Sequence, residues 1–149
     1  MSLLLLCVAC KWCIPTNECT ITGIPCQHWS ARTHSDRNQV LWASWALFTV
    51  RGSFFFGGDT GYCSIFKSVG EEFPNGITLA ALPIGAYGSE NEHWLHKPNH
   101  LNPSEAVQTH LDLNAKYSMG IHWGTFLVTG EPIMEPVALL EEAKKVRLW

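Results

Sequence analysis

Charge is scarce in this chain. Only 15% of its 149 residues are Asp, Glu, Lys or Arg, and ten basic residues against thirteen acidic ones leave a net charge of -3. No Lys/Arg cluster is present that could follow a phosphate backbone, which argues against a nucleic-acid partner. Internal repeats and low-complexity stretches are absent too. A long apolar run is also missing. "MSLLLLCVAC" is too short to cross a bilayer, has no basic residue ahead of it, and reaches Lys11-Trp12 with no clear small-residue cleavage site. It reads as a buried segment or a chain start, with a signal peptide as the minor alternative. Of six cysteines, five (Cys7, Cys10, Cys13, Cys19, Cys26) come early and Cys63 stands alone. No second tight pair completes a four-ligand knuckle, so packing is preferred to a metal cluster or a disulfide framework.

What is present is a core-forming composition. Hydrophobic residues make up 46%, enough for one domain. "CTITGI" (19–24) alternates and is β-branched, so it reads as a strand. "VLWASWALF" (40–48) reads as a second. "SFFFG" (53–57) is apolar throughout and is expected to be buried on both faces. Ile65, Phe66, Val69 and Phe73 recur at helical intervals. "TLAALPI" (78–84) is another buried strand, followed by a polar loop over 85–101. Asn102, Pro103 and Glu105 form a helix-start signature, and Asn114 a stop. "YSMGI" (117–121) is a strand and 136–146 a last helix. Strands with interspersed helices make a layered α/β protein.

Three predicted strand ends each offer a metal-type ligand: His28, Asp59 and His122. Imidazole nitrogen and carboxylate oxygen are ordinary zinc donors, and a carboxylate has two oxygens that can bridge two cations. Strand ends can converge on one sheet edge, where loops shape a site. Each residue also has a plainer role: His28 as a packing histidine beside Trp29, Asp59 as a cap in a Gly-rich turn, His122 as a partner of its neighbours.

"PCQHWSARTHSDRN", "FFFGGDTGYCSIFKSVGEEF", "LAALPIGAY", "NPSEAVQTHLDL" and "SMGIHWGTF" together resemble the metallo-β-lactamase-fold hydrolases. Within them they are similar to the N-acyl-phosphatidylethanolamine-hydrolysing phospholipase D family, over about 21–136. The resemblance implies an αββα sandwich carrying two zinc ions at one edge. It implies His28, Asp59 and His122 as metal ligands, with Asp59 bridging. It implies a positioning or substrate-contact role near the catalytic centre for His100. Trp29, Tyr87 and Trp123 would line the site or pack the core.

The family's H-x-H-x-D-H motif is absent: the seven histidines are His28, His34, His93, His96, His100, His110 and His122, and none forms it. The chain is therefore expected to correspond to the C-terminal half of the domain over 19–149, after a divergent segment 1–18. At most one zinc, weakly held, is expected, with activity weak or lost. The expected substrate is an N-acyl phospholipid, cleaved to N-acylethanolamine and phosphatidic acid. Alternatives are another ester or lactone, or a non-catalytic fragment that pairs with an intact subunit. After Tyr87 the family usually has Glu-Pro-Arg-Trp, whereas "GSENEHW" stands here, which leaves substrate choice open. The resemblance also implies an intracellular protein peripheral to membranes, with Trp94-Leu95 as a candidate contact. A half-sandwich would expose a sheet face and favour self-association.

Overall fold

The structure is a computed structural model that describes residues 12–13, 19–73 and 75–147. Most of the 1–18 segment lies outside the described residues, and so does the apolar start. One piece of that segment is described: strand β1 (Trp12–Cys13) pairs antiparallel with β2 (Cys19–Pro25).

A single six-stranded sheet follows chain order. β2 pairs antiparallel with β3 (Ala43–Thr49), and β3 with β4 (Gly52–Phe56) across a tight turn at Val50-Arg51. β4, β5 (Leu79–Pro83) and β6 (Tyr117–Ile121) are parallel, so each connection must cross over. The first crossover contains α1 (Ile65–Glu72), the second α2 (His93–His96) and α3 (Pro103–Asp112). α4 (Glu135–Arg147) closes the described chain and packs on α3.

Direction explains how distant residues meet. β2 runs antiparallel to β3, and β3 antiparallel to β4, so β2, β4, β5 and β6 all point the same way. Their carboxyl ends share one edge of the sheet, the edge where ligands bind in open α/β sheets.

The two sheet faces differ. In register, Ala46, Phe55 and Ala80 form a fully buried row beneath Phe66 and Val69 of α1 and Ala106 of α3. The opposite row runs Gly23, Trp45, Phe56, Ala81, Met119. Trp45, Phe56 and Met119 are exposed there, with no described element over them. β4 is thus not buried on both faces, as its apolar run suggests: Phe55 is 0% exposed and Phe56 44%. Among the described residues the helices cover one side only.

The predicted strand 40–48 starts late, at Ala43. Its partner β2 ends at Pro25, which has no N–H to extend the ladder past the Pro25–Ala43 pair. The polar loop 85–101 contains the short α2, whose preceding turn is fastened by Glu92, which accepts from the Ser89 N–H and hydroxyl. The signature before α3 forms a complete capping box: Asn102 accepts from the Glu105 N–H, and Glu105 accepts from the Asn102 N–H. Asn114 ends that helix region in a left-handed conformation, φ 49°.

Candidate functional site

Asp59 follows β4 in the turn Gly57-Gly58-Asp59-Thr60-Gly61. The Gly57 N–H still bonds the Ala81 carbonyl at 2.9 Å, and its own carbonyl accepts from the buried Ser44 hydroxyl at 2.6 Å. Gly58 then turns with φ 61°, a conformation that disfavours a side chain. This is why the greasy strand ends in glycines: they turn the chain at the sheet edge and leave Asp59 reaching out from it. Thr60 locks the exit. Its Oγ1 accepts from the Gln27 N–H and donates to the Gly61 carbonyl, while the Gly61 N–H bonds the Gln27 carbonyl. Gln27 is thereby fastened beside the Asp59 turn, and His28 comes with it.

His28 donates its Nδ1–H to the Trp29 carbonyl at 2.7 Å, because a carbonyl can only accept. In the neutral ring this leaves the lone pair on Nε2, the tautomer a metal-ligating histidine needs. Trp42 stacks on the His28 ring at 4.5 Å and donates its indole N–H to the Asp59 carbonyl at 2.8 Å. Sequence reading placed Trp42 inside a strand and missed this bridging role.

His122 follows β6 and adopts φ 58°, left-handed and uncommon for a residue with a side chain. Its Nε2 lies 3.1 Å from Asp59 Oδ1, with both side chains about one-third exposed. His100 sits between the two other imidazoles, its ring centroid 5.3 Å from His28 and 5.4 Å from His122. His96 lies 6.1 Å from His100. Burial, then the neighbouring His122 and His28, push the His100 pKa down to about 4. Its Nδ1 is buried with no partner.

The predicted aromatics divide. Trp29 stacks beside His28 and carries the Arg37 guanidinium over its ring at 5.3 Å. Trp123 packs on the core and lines a cavity of about 280 Å³ next to His122. Phe126, Leu127, Val128 and Ile133 give that cavity apolar walls. Tyr87 is turned away from it. Its hydroxyl donates to Glu135 at 2.8 Å, in a separate groove against α4.

The donor chemistry at this edge suits a divalent cation, and the unpartnered His100 nitrogen marks a place where a polar ligand is wanted. The number of donors falls short. Asp59 and His122 are within reach of one another, but among the described residues no three His, Cys, Asp or Glu side chains gather closely enough to hold a metal ion. Of the three residues expected to converge, Asp59 and His122 form a close pair, and one imidazole, that of His100, stands between His122 and His28. Cys26 and Cys63 are free thiols near this edge, and burial raises both, Cys63 to about 11.

A family profile described as a beta-lactamase superfamily domain matches residues 11–123. The chain is 43% identical over 130 residues to N-acyl-phosphatidylethanolamine-hydrolyzing phospholipase D 1 of Caenorhabditis elegans, covering 86% of this chain and 35% of that protein. It is 43% identical over 124 residues to the mitochondrial N-acyl-phosphatidylethanolamine-hydrolyzing phospholipase D of Saccharomyces cerevisiae, covering 81% of this chain and 26% of that one. It spans about a third or less of these relatives' length. Among solved structures, a metallo hydrolase from the archaeon Ignicoccus hospitalis superposes with a TM-score of 0.62 at 19% identity, over 86% of this chain and 47% of its own. That likeness concerns the fold, and about half of the neighbour's.

Proposed function

Because this chain belongs to the beta-lactamase superfamily, among its metal-dependent hydrolases and close in sequence to the N-acyl-phosphatidylethanolamine phospholipases D, we propose that it supplies one half of a phosphodiester-hydrolysing site. The observation that carries this is the Asp59–His122 pair, 3.1 Å apart at the ends of β4 and β6.

The substrate class is an N-acyl phospholipid. Water attacks phosphorus, the bond to the N-acylethanolamine oxygen breaks, and phosphatidic acid remains. Asp59 and His122 would hold a divalent cation, zinc by donor type, with His28 fastened at the same edge through Trp42. Such a cation lowers the pKa of a water and offsets phosphate charge. Further donors are needed beyond the described residues. His100, between His28 and His122 with its Nδ1 buried and unpartnered, would position the site or contact the substrate through its remaining edge. Exposed Trp94, Phe126, Leu127 and Val128 support peripheral contact with an intracellular membrane surface. No helix among the described residues is long and apolar enough to cross one.

A second reading, a different ester or lactone, is favoured by the turn Gly88–Glu92. It stands where the family's Glu-Pro-Arg-Trp would be and is fastened to Gly130 near the cavity. Parallel assays of the protein that carries this chain separate the two. Release of N-acylethanolamine from an N-acyl phospholipid, lost with a chelator and with Asp59→Asn, is the expected result. Lactone hydrolysis without phospholipid cleavage would favour the second reading, and neither activity would end both.

A further inference from the structure

Two strands leave the sheet side by side through left-handed, non-glycine residues. β5 is followed by Ala86 at φ 62°, and β6 by His122 at φ 58°. L-residues pay for that conformation in steric crowding, so both need to be held. The two exits touch. The Ile84 N–H bonds the Ile121 carbonyl at 3.0 Å, and a Cβ on Gly85 would lie 2.4 Å from the His122 carbonyl oxygen and 3.1 Å from Trp123 Cβ. Gly85 therefore lies flat against the His122 backbone. Residues 84–85 and 121–123 are thus in direct backbone contact.

One side chain holds the first exit. Glu131 is only 8% exposed, and its two carboxylate oxygens accept separately from the Ala86 N–H at 2.6 Å and the Gly88 N–H at 3.0 Å. No cation pairs with it among the described ion pairs. Its buried charge is met by those two amides, and charge-assisted bonds of this kind are strong and directional. We propose that Glu131 is a positioning residue for His122, acting through the backbone of Gly85 and Ala86. The proposal rests on the reading of His122 as a site residue. Glu131 itself touches neither Asp59 nor the imidazole.

A neighbouring carboxylate provides the control. Glu92 accepts from the Ser89 and Gly130 N–H groups and fastens the next turn, with no bond to residue 86. Loss of either clip costs stability, but only loss of the first is expected to reach His122. The test uses protein labelled with ¹⁵N-histidine and reads the His122 ring resonances at one fixed pH. Glu131→Gln should displace them, because only one of the amide's two terminal atoms can accept, whereas Ala86 and Gly88 each bond a separate carboxylate oxygen. Glu131→Asp should displace them too, since the shorter side chain cannot span both amides. Glu92→Gln should leave them in place. Unmoved His122 resonances in Glu131→Gln, with a lowered melting temperature, would make Glu131 a fold-stabilising residue only and overturn the proposal.

If the variants do not fold, hydrogen exchange on the unaltered protein decides. The Ala86 and Gly88 amides should exchange at least about ten-fold more slowly than ordinary loop amides. Exchange at loop rates means the clip does not hold. A Zn²⁺ titration of the unaltered protein judges the metal reading separately. Where Zn²⁺ binds, Glu131→Gln should weaken it by about ten-fold or more, as outer-shell changes do. If Zn²⁺ does not bind, the metal reading fails and the ring resonances still decide the role of Glu131.

Discussion

His122 Nε2 and Asp59 Oδ1 lie 3.1 Å apart although β5 separates the strands that carry them. Each residue reaches across the end of that intervening strand from a backbone bent out of the ordinary: Asp59 after the left-handed Gly58, His122 through its own positive φ. One of the described left-handed non-glycine residues thus lies at the contact itself; Asn38, Ala86 and Asn114 are the others.

Asp59→Asn keeps the shape and removes the charge. Calorimetric titration with Zn²⁺ should show affinity reduced by at least about ten-fold. Because the side chain is about one-third exposed, the melting temperature should change little. A large loss of stability with unchanged Zn²⁺ affinity would make Asp59 a turn cap.

Gly70 has no room for a methyl group. A Cβ there would stand 1.9 Å from the Asp112 carbonyl oxygen, where α1 crosses the end of α3. Backbone cannot yield as a flexible side-chain tip can. Gly70→Ala should push the helices apart and cost about 3 kcal/mol or more, at the top of the usual overpacking range. Urea denaturation measures it, and an unchanged midpoint would contradict the packing described.

The capping box of α3 should behave as a local device. Asn102→Ala removes the acceptor for the Glu105 N–H and should cost about 1 kcal/mol in the same assay. The secondary structure by circular dichroism should stay the same.

Tyr62 donates its hydroxyl to Asp112 at 2.5 Å, and that bond, with burial, pushes the phenol up to about 12. The folded pKa is raised, so the stabilisation is complete below the unfolded value near ~10 and disappears as pH climbs to about 12. The stability difference between the unaltered protein and Tyr62→Phe should be flat from pH 7 to about 9.5, then shrink. A difference that grows with alkalinity would show that the bond does not favour the neutral phenol.

Much of the fold was legible because local and global signals agree. The capping box before α3 and the strand 117–121 follow directly from residue type and spacing. β4 misled because an apolar triplet cannot say which of its faces receives a helix; only the register with β3 and β5 separates Phe55 from Phe56. Trp42 and Glu131 were hidden for a related reason. Their partners, Asp59 and Ala86, lie far away in sequence, and nothing nearby marks a tryptophan or a glutamate for such a contact. His28, Asp59 and His122 could be picked out as strand-end residues. Their spacing from one another depends on strand direction, which no single strand records.

The bare row of Trp45, Phe56 and Met119 has a practical side. Taken alone, a slab dressed with helices on one surface and apolar on the other should associate through the bare surface, as a surfactant does. Its sedimentation should depend on concentration, and a mild non-ionic detergent or a lysine at position 45 should restore a single slow-moving species.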